Sequence, residues 1–203
     1  MNQLLYTIGY TGFSLSDFLN ALKSRNINVV IDVRSSPFSE RYKDYNKSNL
    51  EQILPQNEIY YRNYAREFGA RQANPQFSPN GYLDFEIFAS SPQFSEGISK
   101  IRNSLEKGYQ ITLLCAEKEP INCHRTILVA RAFSRLGYEI RHIIPNQREK
   151  TQQDIEAQLL TMYYPLGNQL DFFAPPIDES EMLSCAYRKQ NEKIGYHMED
   201  EDK

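Results

Sequence analysis

The chain lacks long apolar runs, has little cysteine and shows no excess of either charge, and each shortage removes a class of protein. No hydrophobic stretch approaches the roughly 18 residues that a membrane helix needs, so no membrane partner is expected. Residues 1–10, MNQLLYTIGY, run straight into a strand-like segment without the basic stretch, apolar core and cleavage site of a secretory signal. Three cysteines in 203 residues are too few and odd in number, which argues against a disulfide framework. The expectation is a cytoplasmic protein with reduced thiols. The 23 basic residues are outweighed by 26 acidic ones, so the molecule as a whole is not a basic polyanion binder, although a local basic face is compatible with that balance. Tryptophan is absent, whereas tyrosine is abundant at 14 residues.

What is present has the rhythm of an α/β domain. Four short runs read as strands: Leu4–Ile8, Asn28–Val33, Gln110–Cys115 and Glu139–Ile144. Most are continuously apolar, as in parallel strands buried on both faces. Helical patterns lie between them. Ser14 and Asp17 form a capping box for a helix carrying Phe18 and Leu22. Phe94, Ile98, Ile101 and Leu105 recur at helical spacing between Pro92 and a stop at Gly108. Asn122 is placed to cap a helix carrying Ile127 and Leu128 that stops at Gly137. The expected fold is a Rossmann-like, three-layer α/β domain over residues 1–165, with a mainly parallel sheet of four to five strands. Residues 37–91 read as an irregular insertion, and a polar helix follows at about 151–163. Residues 166–203 read as a peripheral tail, with the closing MEDEDK disordered.

The chemistry concentrates in QITLLCAEKEPINCHRTILVARAFSRLGY. A buried strand ends at Cys115, a polar loop follows, and a helix begins near Asn122–Cys123. Ligands of open parallel sheets bind beyond the carboxyl ends of the strands. Cys115 and Glu117 therefore stand where a ligand should be, with Cys123, His124 and Arg125 in the first helical turn. A helix N-terminus with His124 and Arg125 favours an anion and lowers the pKa of a nearby thiol. Cys115 taken alone fits equally well as a small buried residue ending a strand.

Three other clusters bear on the same edge. Asp32 and Arg34 close a second strand and share a face, Arg34 as an anion binder and Asp32 as its partner in an ion pair or as a catalytic group. Gly9, Tyr10 and Gly12 mark a strand-to-helix turn whose amides are placed to approach a phosphate. In YYRNYAREFGAR, Arg62, Arg66 and Arg71 interleave with aromatic residues, either as a nucleic-acid surface or as an amphipathic helix with solvated arginines. A zinc site ordinarily shows paired ligands at short spacing. Cys115, Cys123 and His124 make one cluster with a distant His142, so neither a metal nor another cofactor is expected. Cys185 and His197 match no constellation.

Taken together, TIGY, IDVRSSPFS, FGAR, YLDF and LLCAEKEPINCHR resemble the bacterial and archaeal domain-of-unknown-function family 488 over Tyr6–Ile144. AYRKQNEKIGY is similar to a tail in some of its members, and Ala70 stands where many have a second glycine. The resemblance implies a Rossmann-like α/β domain. A weaker likeness is to rhodanese-type domains, in which Cys115 would stand in the place of the sulfur-carrying cysteine, although nine residues separate it here from Arg125.

Two functions fit these residues. One is an enzyme with an anion-binding crevice, in which Cys115 or Cys123 acts as a thiolate and Glu117 as general acid or base. Arg34, His124 and Arg125 would hold the anionic substrate. The other is a nucleotide- or nucleic-acid-binding domain using Arg62, Arg66 and Arg71, with or without cleavage of a glycosidic bond by Glu117. A purely structural protein leaves Glu117 and the Cys-His-Arg turn without a purpose. The tyrosines are numerous enough to cover a homodimer interface.

Overall fold

A computed structural model describes residues 4–165 and 178–197. Along the chain run β1 (Leu4–Gly9), α1 (Leu15–Lys23), β2 (Val29–Asp32), α2 (Lys47–Gln56), β3 (Tyr60–Asn63) and α3 (Ala65–Phe68). Then come α4 (Phe85–Ala89), α5 (Pro92–Glu106), β4 (Ile111–Cys115), a π-helical stretch (Arg125–Ala130) that continues as α6 (Arg131–Arg135), β5 (Glu139–Ile144), β6 (Arg148–Thr151), α7 (Gln152–Tyr163) and α8 (Glu179–Ile194). None of these helices is long and apolar enough to cross a membrane.

The strands form one sheet in the order β3-β2-β4-β1-β5-β6, parallel except for the antiparallel edge strand β6. Side chains alternate between its two faces. Val29, Ile31, Val33, Ile111, Leu113 and Cys115 point to one layer, packed under α5, the π-helical segment, α7 and α8. Ile8, Val30 and Leu114 point to the other, where Phe18 and Leu22 of α1 and Leu50 and Leu54 of α2 cover them. The result is a three-layer α/β domain.

Six strands replace the four visible runs because both edges are polar. Tyr60 and Arg62 of β3 are exposed, and β6 reads REKT. An edge strand contributes backbone hydrogen bonds to the sheet without needing an apolar sequence to bury. β3 also corrects the reading of YYRN as part of a helix, and with α2 it turns residues 47–63 of the expected insertion into a regular helix–strand unit of the sheet.

The helix ends follow local chemistry. Ser14 accepts from the Asp17 amide, Ser91 from that of Phe94, and Gly108 has φ +88° just beyond α5. Asn122 does not cap as expected. The helix starts at His124, and the Asn122 amide oxygen instead accepts from Gln190.

The expected peripheral tail is, over 178–197, part of the core. Met182, Ala186 and Tyr187 of α8 are buried with α7. Asn191 accepts from the Phe85 amide and donates to the Leu83 carbonyl, both at 2.8 Å. Gln190 donates to the Ile121 carbonyl at 2.8 Å and accepts from Tyr163. Residues 166–177 of that tail and the closing MEDEDK, residues 198–203, lie outside the described residues.

His142, on β5, is fully buried between Thr7 and Gln152. Gln152 donates its amide to Tyr187, so its oxygen accepts from His142 Nε2 and leaves Nδ1 to accept from the Thr7 hydroxyl. That is a neutral imidazole. Burial pushes its pKa down to about 3, and Arg125 adds to the effect.

Candidate functional site

The sheet's topology determines where the crevice opens. The helices that follow β1 and β2 lie on one face, whereas the helix that follows β4, which is hydrogen-bonded between them, lies on the other. Chain connections diverge there beyond the carboxyl ends of the strands, the arrangement in which open α/β sheets hold ligands. A cavity of about 420 Å³ occupies the place, lined among others by Tyr10, Arg34, Ser35, Arg71, Asn122 and Tyr196. Its floor carries Cys115, Glu117 and His124.

Cys115 ends β4, Glu117 is two residues on in the loop, and Cys123 and His124 open the next helix. Their ligand atoms all lie within 4.8 Å of one another. Glu117 Oε2 is 2.9 Å from Cys115 Sγ and 2.8 Å from Cys123 Sγ, and His124 Nδ1 is 3.8 Å from Cys115 Sγ. Both sulfurs are buried, but only Cys115 lines the cavity, with Cys123 behind it. Glu117 is exposed as a residue while its carboxylate is turned in onto the sulfurs. Burial pushes that carboxyl above its ordinary range, and the charge on Cys123 adds to the rise. Burial likewise raises the Cys115 thiol. For Cys123 the same burial is outweighed by Cys115, Arg125 and His124, which hold it well below the usual thiol range. His124 is disfavoured as a cation by burial, but Cys123 and Glu117 raise it on balance.

Arg125 is the largest fully buried side chain among the described residues. Its Nη1 donates to the Glu117 carbonyl at 2.6 Å and its Nε to Thr7 at 3.4 Å, while Nη2 has no partner among the described residues. Arg125 thus holds the Glu117 loop from beneath and does not reach the cavity as an anion ligand. It opens the π-helical stretch, a distortion that recurs at functional sites.

Asp32 and Arg34 meet in a buried bidentate pair of 2.8 and 2.5 Å, and Tyr61 donates its hydroxyl to Asp32 at 2.6 Å. Asp32 therefore acts as the partner that orients Arg34. Arg34 lies over the Tyr10 ring and keeps Nη1 without a partner among the described residues.

The phosphate-cradling role expected of Gly9 and Tyr10 is corrected. The Tyr10 and Thr11 amides already donate to the carbonyls of Cys115 and Ala116, at 3.1 and 3.0 Å. Gly9 is a close-approach position: a Cβ there would stand 1.8 Å from the Glu117 carbonyl oxygen. The three arginines proposed to contact nucleic acid are not gathered in one hollow. Arg62 borders a separate hollow with Tyr60 and Tyr109, Arg66 pairs with Glu96 and Glu67, and only Arg71, stacked on Tyr196, lines the crevice. His142 is no part of the cluster.

A family model matches residues 14–132, more than half of the chain. The chain belongs to the family described as domain of unknown function DUF488. No curated protein and no solved structure matched it. The DUF488 match takes in the whole Cys115–Arg125 cluster and the Asp32–Arg34 pair, whereas Tyr10 and the Gly195–Tyr196 wall fall outside it.

Sequence reasoning missed that wall. Gln190 ties α8 to the loop before Cys123, and Ile194, Gly195 and Tyr196 then line the cavity. The signal was faint: α8 is largely polar, and two positions of its buried stripe are Gln190 and Asn191.

Proposed function

We propose that this DUF488 chain is an enzyme acting by hydrolysis or group transfer on a small anionic substrate, with Cys115, Glu117, Cys123 and His124 as its reaction centre. The observation that carries this reading is the convergence of four reactive side chains within 4.8 Å, three of them on the floor of one cavity and Cys123 directly behind. Clustered, mutually perturbed titratable groups in a cleft are the physical signature of a site built for proton transfer or nucleophilic chemistry. Arg34, pre-oriented by Asp32, and Arg71, stacked on Tyr196, supply positive charge above the floor. Glu117 is the general acid or base, because its raised carboxyl brings its proton nearer to neutral pH. A nucleotide suits the remaining walls, with the half-buried Tyr196 beside the arginines.

The test is calorimetric titration of the crevice with inorganic phosphate and nucleoside phosphates, followed by turnover assays on whichever ligand binds. Arg34→Met and Arg71→Met should each weaken binding about tenfold or more, since a charge-assisted hydrogen bond contributes about 1.5–3 kcal/mol. Alanine at both Cys115 and Cys123 should abolish turnover. Binding indifferent to both arginines, or turnover unchanged without the two sulfurs, would sink the proposal.

A further inference from the structure

We infer that the reaction centre is a zinc site, with Cys115, Cys123, His124 and Glu117 as its ligands. This deepens the reading above and rests on it in one respect, that the crevice's ligand meets the cluster. Three observations carry it.

The first is the donor set. Tetrahedral zinc, with bonds of about 2.3 Å to sulfur and 2.0–2.2 Å to nitrogen or oxygen, holds its ligand atoms roughly 3.3–3.8 Å apart. The four side chains here offer two sulfurs, a nitrogen and an oxygen, all within 4.8 Å of one another. Two thiolates exclude magnesium and calcium as the preferred ion, and two cysteines with one histidine match neither the four cysteines nor the two-cysteine, two-histidine set of an iron–sulfur cluster.

The second is the tautomer of His124. Nε2 lies 2.9 Å from the Val33 carbonyl, which can only accept, so Nε2 carries the hydrogen. The lone pair of Nδ1 therefore faces Cys115 Sγ and the rest of the cluster. A backbone carbonyl holding one ring nitrogen so that the other is free to ligate is the usual outer support of a metal-bound histidine.

The third is charge. Arg125 is wholly buried, and no carboxylate pairs with it among the described residues. A buried cation needs a buried anion. Two thiolates, one carboxylate and a doubly charged metal sum to a single negative charge, which Arg125 balances. Cys123 stands behind the cavity floor while Glu117 sits toward solvent, so Cys115, Cys123 and His124 are the permanent ligands and Glu117 holds the exchangeable position. Three protein ligands and one open place are the pattern of catalytic zinc.

Protein purified without chelator should contain about one zinc ion per chain by mass spectrometry. The metal-free protein, kept reduced, should take up cobalt(II) with a sulfur-to-cobalt charge-transfer band and the strong visible absorption of a tetrahedral site. On the native wild type, alkylation of Cys115 and Cys123 should be blocked by zinc and restored by chelator. His124→Ala and Cys115→Ser should lower zinc affinity by at least about tenfold, whereas Cys185→Ser, outside the cluster, should leave it unchanged. Should the cluster variants not fold, the cobalt spectrum and the alkylation pattern of the wild type decide alone. A folded, reduced chain that takes up neither metal, or whose cluster thiols alkylate at one rate with and without zinc, overturns the inference. If metal binding fails while phosphate or nucleotide still binds the crevice, the enzyme reading survives it. If zinc binds and no anion does, the zinc site stands and the enzyme reading falls.

Discussion

Acidification should weaken this fold through one side chain, His142. Its imidazole is held neutral, accepting from Thr7 and donating to Gln152, with the guanidinium of Arg125 close enough to oppose a second positive charge. Its pKa falls from 6.5 to about 3 in the folded chain. The unfolded chain therefore takes up the proton first. Stability is full above pH 6.5 and is lost as the pH descends from there toward about 3. Each unit in that window costs about 1.4 kcal/mol. Between pH 7 and pH 5 the loss from this residue is about 2 kcal/mol. Urea denaturation at a series of pH values measures it, with His142→Gln as the comparison. The variant should be less stable at pH 7, because Gln disturbs a buried network, but its stability should fall less by about 2 kcal/mol over the same interval. Whatever pH dependence the cluster around His124 contributes is common to both proteins and cancels in the comparison. Identical pH slopes for the two proteins, or an imidazole resonance of His142 that titrates near 6.5, would refute the reasoning.

Three other substitutions probe the packing that holds the site. Gly9→Ala places a methyl group 1.8 Å from the Glu117 carbonyl oxygen and 2.9 Å from Arg125 Nη1, so the loop must move. It should cost about 3 kcal/mol or more and expose Cys115 to alkylation; unchanged stability and reactivity would show that the loop yields freely. Asn191→Ala strands the Phe85 amide and the Leu83 carbonyl. A loss of about 2–4 kcal/mol is expected, with faster hydrogen exchange at Phe85 as the local readout, and retained protection there counts against α8 as an anchor. Tyr61→Phe removes the hydroxyl donated to Asp32. It should cost about 1.5–3 kcal/mol and, by loosening the Asp32–Arg34 pair, weaken phosphate binding in the crevice, which calorimetry would detect.

The central strands were legible because burial on both faces writes them as unbroken apolar runs, as in ITLLC and VVID. The edges β3 and β6 were not, because what makes them strands is the backbone of a neighbour. Cys115, Glu117, Cys123 and His124 could be gathered from the sequence because one strand end, one loop and one helix start supply them all. Their suitability for a metal was hidden: seven residues separate the two cysteines, and only the folded loop between Ala116 and Asn122 brings both sulfurs onto one carboxylate. The roles of Gly9 and Arg125 depend on a contact between β1 and the loop after β4, more than a hundred residues away in the chain, which no local pattern records.

The seam made by α8 bears on how the protein comes to be complete during synthesis. Everything that Gln190 and Asn191 grip, from Leu83 to Tyr163, leaves the ribosome before they do. A nascent chain can thus form its sheet and gather its sulfurs while one side of the crevice still stands open to the cell. For that interval the thiols are accessible to oxidants and to metal delivery alike, and the arrival of residues 178–197 ends it. A polypeptide released early, with the sheet formed but that seam missing, would present a ready-made cluster with no wall around it, open to oxidative damage and to capture of the wrong ion.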